Sequence, residues 1–203
     1  MKSILDYLIK NKSSIIISIL LFIIGFQYAY KPKTKIERVP SDIQSLNGGK
    51  YLRFIYIGSS GCVYSNNPET HKKISYRKDY FRSYSHNHEM KFLSSGISVD
   101  RNPDLGIKFL DQTGPYDVII SGASWYNLGA NHYIWNNIPG NASTPQVLIT
   151  LTKYSIEYSA NEIGDINRKE KLLFRANGIQ DIRYLYRLAH NSNTEEIKSL
   201  LEN

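Results

Sequence analysis

Tyr51-Leu-Arg-Phe-Ile-Tyr-Ile-Gly58-Ser-Ser-Gly-Cys62-Val-Tyr-Ser65 decides how this chain is read. Its first seven residues are aromatic, β-branched or apolar apart from Arg53, which predicts a central strand. Gly58-Ser-Ser-Gly61 ends that strand in a turn. Cys62 is the only cysteine among 203 residues, and it follows the turn at an expected helix start. Backbone amides and the helix dipole favour a thiolate in such a place. In an apolar domain a lone cysteine is ordinarily a small buried hydrophobe, and that reading stands beside the reactive one.

The residues downstream alternate between strand and helix signals. Asn67-Pro68-Glu69 opens a helix whose body is expected from His71 to about Leu93, bent or broken around Ser83–Asn87. Gly96–Asp100 is a short strand candidate, Pro103–Gln112 a helix, Tyr116–Ser121 a strand and Ser124–Asn137 a helix with Trp125 and Trp135 in the core. Thr144–Leu151 and Tyr154–Ser159 suit a hairpin reversing at Thr152-Lys153. Glu170–Ala176 and Ile179–His190 read as helical, with Thr194–Leu201 beyond them. The pattern predicts an α/β domain with a mixed sheet and helices on both faces.

Ser13 to Tyr30 carries no formal charge and has a dense apolar centre at Ile15–Phe26. Three readings compete for it: a single-pass signal anchor, a cleaved signal peptide and a buried core helix. The anchor is favoured, because Phe26-Gln-Tyr-Ala29 is a poor cleavage site and no amphipathic pattern interrupts the run. The expected organisation is a short basic N-terminus (1–12), a transmembrane anchor (13–30), a linker (31–49) and the domain proper (50–203). Residues 1–40 hold seven basic and two acidic side chains, most of the formal net charge of +7. The basic balance thus belongs to the tail, which points to anionic lipid headgroups and away from nucleic acid.

Two features together resemble the thioredoxin-like superfamily, over about Lys50 to His190. One is strand, Gly58-Ser-Ser-Gly-Cys62-Val-Tyr-Ser65, helix. The other is Ser143-Thr144-Pro145-Gln146-Val147 before a strand. The chain resembles a membrane-anchored bacterial type in keeping Gly58-Ser59-Ser60, Cys62 and Asn66-Asn67-Pro68-Glu69, with Ser65 where a second cysteine would stand.

The resemblance implies a cis Pro145 facing Cys62 and a client-docking edge at Thr144, with Tyr64 exposed between Cys62 and Ser65. It also implies monothiol exchange with a protein thiol or disulfide client through Cys62, on the extracytoplasmic side of the cytoplasmic membrane. Efficient dithiol turnover is not expected, because Ser65 cannot act as a resolving thiol. The alternative is a non-catalytic adaptor in a membrane or envelope assembly.

Other candidates carry less. His86 and His88 stand two apart and do not share a helix face, so no metal set is assigned. His71 is a distant candidate proton donor. Gly58-Ser-Ser-Gly61 lacks the lysine of a phosphate loop, and no cofactor is expected.

Overall fold

The computed structural model describes residues 19–22, 34–37, 49–159, 162–190 and 199. The chain divides into two units, Met1–Lys33 and Thr34–Asn203. The second unit carries strands β1 (Thr34–Glu37), β2 (Gly49–Gly58), β3 (Lys91–Ser98), β4 (Val118–Gly122), β5 (Gln146–Ser159) and β6 (Glu162–Asn177). Its helices are α1 (Pro68–Asn87), α2 (Pro103–Asp111), α3 (Leu128–Ala130) and α4 (Gly178–His190). The sheet order is β1-β4-β3-β2-β5-β6. Strands β2, β3 and β4 run parallel, while β1, β5 and β6 pair antiparallel to their neighbours.

Strand β2 lies at the centre and is apolar on both sides. Leu52, Phe54 and Tyr56 join Ile74, Phe81, Phe109, Ile182 and Leu185 in one core, so α1, α2 and α4 cover that face. Ile55 and Ile57 join Ile97, Ala130, Tyr133, Ile134 and Leu148 in a second core beneath the segment after β4. A strand buried on both faces reads as a continuous apolar run, which is why 51–57 is legible.

The described residues correct the expected fold class in its membrane part. Among them no helix is long and apolar enough to cross a membrane. Of residues 13–30 only Ile19–Phe22 are described, as a helical stretch; the rest of the expected span lies outside the described residues. Among the described residues the transmembrane helix is not borne out, nor are the lipid bilayer as partner and the single-pass extracytoplasmic placement that rested on it. What remains is a mixed sheet with helices on both faces, consistent with a thioredoxin-like fold.

Several element assignments also change. α1 starts at Pro68, where the Asn67 side chain accepts from Glu69 N at 2.8 Å, and stops at Asn87. Glu89 takes a left-handed φ of 54°, so the chain leaves the helix and Lys91–Leu93 enter β3 instead. Ser124–Asn137 is not one helix. Ala123 and Ser124 have φ of 57° and 53°, and a 3-10 turn, α3 and a π turn follow in sequence.

Gly129 packs so tightly there that a Cβ would lie 2.7 Å from the Ile97 side chain. Trp135, expected in the core, is about half exposed and donates its indole N–H to Trp125 O at 2.8 Å. The hairpin does not reverse at Thr152-Lys153, since β5 runs unbroken to Ser159. Glu170–Ala176 is strand, not helix. The register shifts between Ile149↔Phe174 and Thr150↔Leu172, and the bulge at Leu173 turns Leu173 and Phe174 toward one core while Leu172 packs on the other. That extra residue breaks the strand alternation and imitates a helical pattern.

Candidate functional site

The turn after β2 is held from below by a carboxylate forty residues away. Asp100, just past β3, accepts from Ser59 Oγ at 2.8 Å, Ser60 N at 3.0 Å, Ser60 Oγ at 2.9 Å and Ser98 Oγ at 2.6 Å. Burial opposes the Asp100 charge, but these donors outweigh it and hold the carboxyl below its ordinary range. Ser59 and Ser60 are therefore a set of donors for Asp100. Gly58 is glycine for a packing reason: a Cβ there would sit 2.8 Å from both the Phe109 ring and Tyr56 Oη.

Cys62 is not at a helix N-terminus. Asn66 N donates to Cys62 O at 2.8 Å, closing one turn before Asn67 caps α1. The thiol is partly exposed and donates to Thr144 O at 3.4 Å. The Thr144–Pro145 peptide is cis, and Pro145 O accepts from Gly178 N at 2.8 Å, joining this loop to α4. Cys62, Ser65, Thr144 and Pro145 thus lie together, and Val63 and Tyr64 point outward at 81% and 62% exposure. The Thr144 carbonyl, expected to be open for a client, is already engaged by the thiol. Its N–H has no partner among the described residues.

Burial raises the Cys62 thiol pKa, but the Ser65 side chain, Thr144 and the amides of Ser65 and Tyr64 outweigh it and bring the pKa below its ordinary value. The Ser65 hydroxyl is close to both the sulfur and Tyr56 Oη, but it makes no hydrogen bond of ordinary geometry to either and is fully buried. Tyr56 Oη, Thr70 Oγ1 and His71 Nε2 are likewise buried without partners. Burial pushes the Tyr56 hydroxyl pKa far up and the His71 pKa down. The His71 ring lies against the Ser65 backbone and meets Phe109 edge-on at 5.9 Å.

His71 lies against the Ser65 backbone and not in contact with the thiol, and sequence reasoning missed Tyr56 and Asp100. The inward spacing of Tyr56 and Gly58 was the available signal for the first. Ser98-x-Asp100 beyond a neighbouring parallel strand was the signal for the second. Beside Tyr64, a groove of about 420 Å3 is lined by Asn67, Glu69, Thr70, Ile179, Gln180 and Arg183. At the far end of α1, His88 Nδ1 sits 2.8 Å from Tyr84 O and its ring stacks on Tyr84.

No family model matches the chain, and no curated protein and no solved structure matches it either. The expected membership in a membrane-anchored bacterial thioredoxin-like type with a Cys-x-x-Ser site is therefore withdrawn. The turn at 62–66 also removes the helix start that gave the motif its meaning. Monothiol exchange with a thiol or disulfide client is corrected with it, as is oxidoreductase activity. The chain has one cysteine, no redox pair is formed, and among the described residues no metal cluster stands in for one.

Proposed function

We propose that the Cys62 face docks an extended polypeptide segment non-covalently and that the protein works as a binding module. The observation that carries this is Val63 and Tyr64, two large side chains exposed on the 62–66 turn, which follows directly on the Ser59-Ser60 turn that Asp100 holds. Burying each would gain roughly 1.5–3 kcal/mol, so holding both in water on a fixed turn favours a partner that covers them. The open Thr144 N–H offers a main-chain contact to such a segment. The groove beside Tyr64 gives its next side chain a place to lie. In this reading the Cys62 thiol is a clasp, its S–H joining the turn to the Thr144 loop.

Selection of random ten-residue peptides from a displayed library against the full chain tests the proposal. The selected peptides should compete for one site. They should bind at least about tenfold more weakly to Tyr64→Ala, the scale of an interface anchor. Iodoacetamide on Cys62 should block them. Peptides that bind Tyr64→Ala and the alkylated chain as well as the untreated one would remove this reading.

A further inference from the structure

Cys62 is surrounded by hydrogen-bonding groups that a thiol does not satisfy. The hydroxyls of Ser65 and Tyr56 are buried at 0% residue exposure and have no partner. Buried polar groups nearly always find one. The amides of Tyr64 and Ser65 face the sulfur from the turn that follows it. On the other side, Thr144 O stands 3.4 Å from Sγ as an acceptor. Donors on one side and an acceptor on the other are the complement of an oxygen carried on sulfur. A sulfenic hydroxyl would donate to Thr144 O and accept from the Ser65 hydroxyl.

We infer that Cys62 is a site of oxidation by a hydroperoxide, giving a sulfenic acid that Ser65 and Thr144 hold in place. The thiolate attacks one peroxide oxygen, an S–O bond forms and the O–O bond breaks. Sulfur loses two electrons, and the departing hydroxide or alkoxide takes its proton from water. The chain has no second cysteine, so no thiol of its own condenses with the product. The partly exposed sulfur admits a small peroxide, and the inference stands whether or not a polypeptide docks on this face.

The test treats the full chain with stoichiometric hydrogen peroxide and follows intact mass and dimedone labelling. A single added oxygen, trapped by dimedone at Cys62 and persistent in the unsubstituted chain, is the expected result. Ser65→Ala should pass to the doubly oxygenated sulfinic form several-fold faster. Ser65→Cys, which conserves volume, should instead lose two hydrogens on oxidation and no longer label, because the introduced thiol condenses with the sulfenic acid. The inference is overturned if peroxide leaves Cys62 unmodified. Equal progress of the unsubstituted chain and Ser65→Ala to the sulfinic form also overturns it, as does an oxidised Ser65→Cys that still labels with dimedone.

Discussion

The polar groups around Glu170 and those behind Cys62 differ in how completely they are satisfied. On the face covered by the segment after β4, Glu170 accepts from Arg53 at 3.3 Å, Tyr133 at 3.2 Å, Thr150 at 2.7 Å, His132 at 2.9 Å and also from Arg168. Both of its oxygens are used, and its side chain is only 7% exposed. Behind Cys62, by contrast, Tyr56, Ser65, Thr70 and His71 each bury a polar atom with no partner. A carboxylate satisfied at both oxygens fixes architecture, even though Arg53 Nε beside it is buried without a partner, whereas open hydrogen-bonding capacity next to a thiol is what a site offers to something that arrives. The same sheet carries both, one toward each face.

That contrast breaks most visibly at Glu170. Glu170→Ala leaves the Arg53 guanidinium buried without its carboxylate and should cost about 3–5 kcal/mol in urea unfolding. A loss under one would show that the network is dispensable. The same carboxyl sets a pH dependence. Burial opposes its charge, but His132, Arg53, Thr150 and Arg168 hold it well below its ordinary value of 4.5. Because the folded-state value is the lower one, the unfolded chain takes up the proton first. The contribution is complete above the ordinary value and is lost as pH falls below it. Unfolding across acid pH should therefore steepen for the native sequence and flatten for Glu170→Gln.

The staple beneath the thiol gives a smaller effect. Asp100→Asn removes the charge that Ser59, Ser60 and Ser98 address and should cost about 2 kcal/mol. Amide exchange should accelerate from Ser59 to Cys62, and an unchanged exchange profile would show that the turn holds itself. The smallest effect is expected at Ser65. Ser65→Ala deletes a buried hydroxyl that has no partner, so stability should stay within about 1 kcal/mol. The midpoint of Cys62 alkylation should nonetheless move to higher pH, since a group favouring the thiolate is gone. A large stability loss with an unmoved midpoint would make Ser65 a packing residue like those around Glu170.

How much of this was legible depended on range along the chain. β2, the start of α1 and α2 follow from local pattern and caps, because Asn67-Pro68 and Asn102-Pro103 both mark helix entries. The bulge at Leu173 and the left-handed Glu89 were not legible, since each is imposed by tertiary pairing against local propensity. The proximity of Thr144 to Cys62 was read through a resemblance that the comparisons do not support. Their 3.4 Å contact rests on the geometry alone. Asp100 beneath Ser59 and Ser60, and Tyr56 beneath Ser65, join residues of adjacent strands or facing elements. No single stretch of sequence announces either pair.

The order of the sheet has one more consequence, for chains that crowd together. β6 is an outer strand, and a free strand edge can template pairing with another chain. Along it stand Arg168, Lys169, Lys171 and Arg175, with Lys169 and Lys171 exposed. Two copies meeting edge to edge would have to take the charges of Lys169 and Lys171 out of water, and exposed lysines on an outer strand oppose such pairing.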